Sequence, residues 1–173
     1  MKTKTITLYE FNELSDTAKE KAREWYRGGA LDYDWWDSIY DDAKRIGIKI
    51  TAFDLDRNRH ATGELLASAE ETAHKIEKEH GDSCETYKTA KQYLADRDKL
   101  VESAERDENG EFVDEYSLDC ALDDLDAEFL NSLLEDYSVI LQKEYEYLLS
   151  DESVDENILA NGYTFTEDGK REN

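Results

Sequence analysis

The sequence predicts an α+β fold, a predominantly helical single domain over residues 1–173 with a small sheet of about three short strands. Three observations carry this reading. Apolar residues recur every three or four positions over most of the chain, the period of a helix buried along one face. Only residues 3–11, 48–55 and 163–166 read as strands, the first two by alternation. Proline is absent from all 173 residues, and with it the commonest helix breaker.

In chain order, residues 3–11 place Ile6 and Leu8 on one side and Thr5, Thr7, Tyr9 and Phe11 on the other. Helix 16–27 follows. Ser15 and Asp16 supply a cap and an acidic first turn, Ala18, Ala22, Trp25 and Tyr26 recur at helical spacing, and Gly28 with Gly29 ends it. Helix 34–46 opens at Asp34, turns Trp35, Trp36, Ile39, Tyr40, Ala43 and Ile46 inward, and closes at Gly47. Strand 48–55 alternates again, and Asp56, Arg57 and Asn58 make a polar turn.

Helices 64–80 and 83–106 come next, parted by Gly81, with Leu65, Leu66, Ala69, Ala73 and Ile76 on one face of the first. Asp107, Glu108, Asn109 and Gly110 are turn residues. They precede the longest helix, 117–149. Its stripe runs Leu118, Leu122, Leu125, Phe129, Leu133, Tyr137, Leu141, Tyr145 and Leu148. Ser153 and Glu156 have the spacing of a capping box for helix 153–161. Strand 163–166 and a frayed tail, 167–173, complete the chain.

Charge is the outlier in the composition. The net charge is −23, whereas a small domain stays dispersed with a magnitude of about 2 to 8. Residues 101–140 alone hold 14 acids against one base. Cys84 and Cys120 have no CxxC spacing, which indicates neither a disulfide framework nor a zinc site and fits a reducing compartment. No apolar run reaches the roughly 18 residues of a membrane span, and the first 11 residues lack a signal-peptide core. The expected location is the cytoplasm, with no membrane partner.

Catalytic and metal-binding patterns are missing. His60, His74 and His80 have no His or Cys four residues away in one continuous helix; His80 and Cys84 come nearest, across Gly81. Calcium loops begun at Asp54 or Asp107 fail at the sixth position, Arg59 or Phe112, and at the twelfth, Leu65 or Leu118. There is no phosphate loop, GxSxG or HExxH. Asp37 and Asp41 could pair as acid and base, yet such pairs on a helix face are usually solvated. The expectation is no enzyme, no catalytic residue, no metal and no cofactor.

The acidic face of the long helix remains. Asp119, Asp123 and Asp126 follow one stripe, and Asp124, Glu128 and Glu135 another; Asp114, Glu115 and Asp136 extend the set. All are expected to point outward beside the apolar stripe. Seven carboxylates over residues 119–136 lie along roughly 27 Å of helix, close to the phosphate spacing of one DNA strand, about 3.4 Å. Like charges at i, i+3 or i+4 destabilise a helix by roughly 0.2–0.5 kcal/mol a pair. A cationic partner would offset that cost.

Residues 14–27 (LSDTAKEKAREWYR), Trp35 and Trp36 with Tyr40, Asp41, Asp42 and Ala43, and the end through Glu144, Tyr145, Glu146, Tyr147, Leu148, Ala160, Asn161, Tyr163, Phe165 and Thr166 resemble a family. It is one of small acidic proteins of phages, prophages and plasmids, some labelled antitoxin-like. The likeness covers mainly residues 1–55 and 140–166. It differs in the middle, 60–110, which here is charged and helical rather than Gly-rich. The resemblance implies a mobile-element setting and no catalytic residues. Setting and acidic face together suggest an inhibitor of a host defence nuclease, of anti-CRISPR or anti-restriction type, that mimics nucleic acid in a basic cleft and does not itself bind nucleic acid. The alternative is an antitoxin-like or regulatory partner of a single basic protein, and self-pairing through the Leu-rich helix would give a homodimer.

Overall fold

The computed structural model describes residues 5–171. Among these the α+β class holds: six α-helices and four short strands, the strands forming two separate antiparallel pairs. The chain divides into two compact units. One comprises the described residues up to Trp35 together with those from Lys143 onward, and the other Trp36–Gln142.

In the terminal unit, β1 (Tyr9–Glu10) runs into a 3-10 turn, Phe11–Glu13, and then α1 (Asp16–Arg27). The expected strand 3–11 is therefore two residues long. Residues 3 and 4 lie outside the described part, 5–8 carry no regular structure, and Phe11 turns into the core. Helix α1 has the expected bounds because its signals are local: Ser15 Oγ accepts from the Ala18 N–H, and Gly28 caps the other end. Helix α6 (Asp151–Ala160) starts earlier than the Ser153 capping box proposed. Ser150 is the cap, accepting from Ser153 N–H at 3.2 Å, and Ser153 is buried.

Helices α1 and α6 pack through Ala18, Ala22, Val154 and Ile158 around Phe11 and Phe165. Arg23 clamps them with two 2.7 Å bonds to Asp155. β4 (Thr164–Phe165), shorter than the expected 163–166, pairs with β1, Tyr9 opposite Phe165. The segment after it is not frayed up to Arg171. Gly169 N–H bonds to Thr166 O at 2.8 Å, Thr166 N–H to Lys170 O at 2.9 Å, and Gly169 is buried against Ala18. Its φ of +83° is one that side chains rarely adopt, and an added Cβ would stand 2.1 Å from Ala18 O.

The central unit opens with α2 (Asp37–Ile46), which begins after Trp36 and not at Asp34. Gly47, at φ +103°, ends it in the left-handed conformation of a helix C-terminus. Two antiparallel strands follow, β2 (Ile48–Asp54) and β3 (His60–Leu65). The sequence suggests the end of the second as the start of helix 64–80. Gly63 is instead a strand residue opposite Ile50, with an added Cβ 2.5 Å from Lys49 O. The true helix start is a capping box: Ser68 accepts from Glu71 N–H, and the Glu71 side chain returns to Ser68 N–H, opening α3 (Ala69–Glu79).

α4 (Glu85–Ser103) and α5 (Glu115–Leu148) complete the unit, α5 belonging to it as far as Gln142. Phe129, Leu133, Tyr137 and Leu141 of the expected stripe are buried within the chain itself. Around Asp42 of α2 a polar cluster closes: Tyr137 Oη donates to it at 2.8 Å, and Arg45 donates as well. His80 Nε2 stands 3.6 Å from the same carboxylate, its Nδ1 paired with Thr86 Oγ1 at 2.7 Å.

Aromatic burial departs from expectation. Trp35 is the buried tryptophan at 8% exposure, whereas Trp25 is 42% exposed at the edge of the terminal unit.

Candidate functional site: the acidic face of α5

The nine acids proposed from sequence separate into two groups. Asp114, Glu115, Asp119, Asp123, Asp124 and Glu128 are exposed. Asp114 is partly committed, its Oδ1 accepting from Ser117 N–H at 2.9 Å in the manner of an N-cap. Among the described residues no ion-pair partner stands by Asp119, Asp123, Asp124 or Glu128. These four carboxylates lie along roughly 14 Å of helix. They fall two to each of the expected stripes, Asp119 with Asp123 and Asp124 with Glu128.

Asp126 and Asp136 are half-buried and correct the expectation that the whole set faces solvent, whereas Glu135 is exposed as expected but paired. Tyr93 of α4 donates to Asp126 at 2.6 Å, Thr89 of α4 donates to Asp136 at 2.7 Å, and Arg59 pairs with Glu135 while its Nε reaches Ser138 at 3.1 Å. These acids hold α5 to α4 and to the start of β3. Burial raises the Tyr93 phenol well above its usual range, and the Asp126 bond adds to that.

Burial likewise raises Asp136 above the usual carboxylate range, with Glu85 and Glu135 adding repulsion and the Thr89 bond opposing. The native state thus holds this proton more tightly than the unfolded chain. The stability it contributes is present below the ordinary aspartate range and is lost as pH rises through the raised value. Asp136→Asn keeps an acceptor for Thr89 and removes the charge. Its melting temperature is expected to exceed the parent's at neutral pH, with the gap closing as pH falls through the carboxylate range. Melting curves at stepped pH check this, and a constant gap would contradict it.

Two features of the face are tertiary and have no signal in the spacing of acids. A groove of about 470 Å³ runs between α4 and α5, with Tyr93 stacked on Phe129 at 4.2 Å, Leu125 beside them, and Glu128 and Lys88 also lining it. Glu128 is where the exposed row meets this groove. At the other end, Val113 and Tyr116 are 58% and 81% exposed amid Asp114, Glu115 and Asp119. An apolar count over the long helix could have flagged Tyr116, which lies off the stripe.

The other candidates stay apart. His80 is bonded to Thr86, while Cys84 precedes α4 as its cap residue and is exposed. Among the described residues no group of three His, Cys, Asp or Glu side chains could hold a metal ion, and no helix is long and apolar enough to cross a membrane. No protein family, curated protein or solved structure matches this chain.

Proposed function

We propose that this protein is an inhibitor from a phage or other mobile element that occupies the basic nucleic-acid cleft of a host defence nuclease in the bacterial cytoplasm. It works by binding, as an acidic mimic of nucleic acid of anti-CRISPR or anti-restriction type. One observation carries the reading: Asp119, Asp123, Asp124 and Glu128 stand exposed and without ion-pair partners among the described residues, in a 40-residue segment, 101–140, with one base. Elsewhere some exposed acids are matched, as Glu64 is by Lys49 and Glu85 by Lys88. Carboxylates left unmatched on one helix suit a cationic surface supplied from outside.

The test is a four-fold variant, Asp119→Asn, Asp123→Asn, Asp124→Asn and Glu128→Gln, with Asp126 kept because Tyr93 needs it. It is assayed against a panel of CRISPR and restriction nucleases for inhibition of DNA cleavage. The parent is expected to inhibit at least one, competitively with DNA and more weakly as salt shortens the screening length below about 8 Å. Neutralising four exposed charges should weaken inhibition roughly tenfold or more, while thermal stability holds or rises as like-charge neighbours disappear. Equal inhibition by variant and parent would show that the row is a solvated surface.

A second reading, an antitoxin-like or regulatory partner of a single basic protein, is favoured by Tyr116 and Val113. Exposed tyrosine beside a charged rim is the composition of a protein interface centre. Under that reading Tyr116→Ala weakens binding with little change in its salt dependence.

A further inference from the structure

We propose that the C-terminal end of α1 carries a binding site for an organic cation, a guanidinium or alkylammonium head group. Three aromatic rings meet there. Trp25 and Tyr163 stand nearly perpendicular, 83° apart with centroids at 5.1 Å; Tyr26 lies 6.3 Å from Trp25 and 6.4 Å from Tyr163. Together with Gly28 and Gly29 they line a notch of about 320 Å³.

Apart from Arg171, which lies against two of the rings, the groups around this notch favour a cation. Aromatic faces are negative, and a helix C-terminus presents carbonyl oxygens and the negative end of its dipole. Asp32 brings its carboxylate within 3.5 Å of where a Gly29 Cβ would stand. The base in the last turn of α1, Arg27, turns away to Glu20, Asp151 and the Leu149 carbonyl.

The two glycines are not demanded by backbone angle. Gly28 has φ −60°, and neither has a positive φ. Both line the notch, and a large side chain at either would take up part of its volume. The same rings already attract a cation of the chain's own: the Arg171 guanidinium lies 5.3 Å from the Tyr163 centroid and 5.9 Å from that of Trp25. A neutral apolar ligand would account for the rings but not for the carbonyl end and Asp32.

The experiment follows the indole N–H signals of the full chain by NMR, Trp25 being assigned through Trp25→Phe. Three probes are titrated: choline, its uncharged isostere 3,3-dimethyl-1-butanol, and N-acetylarginine methylamide. The Trp25 signal is expected to move saturably with a cation, at a Kd at least about fivefold below that of the isostere, the range of a partly exposed cation–π contact. Tighter choline binding assigns an alkylammonium ligand, and tighter binding of the arginine derivative a guanidinium. In Gly28→Leu the shift is expected to vanish while the buried Trp35 signal keeps its place, which reports an intact fold. No saturable shift with either cation in the parent chain overturns the site. So does an isostere that binds as well as the cations, or binding that survives in a folded Gly28→Leu.

Discussion

Tyr137→Ala is expected to lower stability by about 3–5 kcal/mol, the cost of emptying a large aromatic site in a close-packed interior. Tyr137 is fully buried in the central unit, and its hydroxyl is bonded to Asp42. Two losses combine, a cavity in the core and a carboxylate deprived of a donor. Tyr137→Phe separates them. The ring stays and Asp42 retains Arg45, so the cost should fall to about 1 kcal/mol, the net worth of one hydrogen bond. Thermal melts of both variants check this. A domain of this size shifts by roughly 2–4 °C per kcal/mol, so alanine should melt lower by about 6–20 °C. Equal shifts for alanine and phenylalanine would mean that the hydroxyl, and not the ring, dominates.

Gly169→Ala is expected to cost about 2–5 kcal/mol. The left-handed backbone disfavours any side chain by roughly 1–2 kcal/mol, and overpacking against backbone that cannot swing aside adds about 1–3 kcal/mol. The Cβ would collide with the Ala18 carbonyl in α1. Gly162→Ala is the control, because its φ of +61° is also left-handed while no atom stands within 4 Å of its added Cβ. The difference between the two variants, read from their melting curves, isolates the close approach of the 166–170 turn to α1. If they melt alike, that approach is loose and the turn moves off to make room.

The elements legible in the sequence are those whose signals are local. Ser15 and Gly28 bound α1, and the three- and four-residue stripe from Leu118 to Leu148 carries α5. Strand β3 escapes because its six residues hold only Ala61 and Leu65 as apolar side chains, and Gly63 resembles the edge of a helix. Its identity comes from pairing with β2, a tertiary fact. The start of α3 is written locally too, in Ser68 and Glu71, but the apolar run from Leu65 masks it.

The candidate site divides the same way. Charge and helical spacing are sequence properties, so Asp119, Asp123, Asp124 and Glu128 are visible in them. The partners that turn Asp126, Glu135 and Asp136 into anchors are Tyr93, Arg59 and Thr89, which lie 33 to 76 positions away. No periodicity within α5 reveals them. Trp25 departs from expectation for a related reason: the helical period gives its side of α1 but not that the side ends at an edge.

The pairing of Tyr9 with Phe165 has a consequence for biosynthesis. On the ribosome the whole central unit is translated between the two segments that build the terminal one. At about 5–20 residues per second, the nascent α1 waits on the order of ten seconds for α6, with Phe11, Ala18 and Ala22 uncovered. A chaperone that recognises short apolar stretches would find its target at the beginning of this chain, and release would coincide with the emergence of Val154, Ile158 and Phe165.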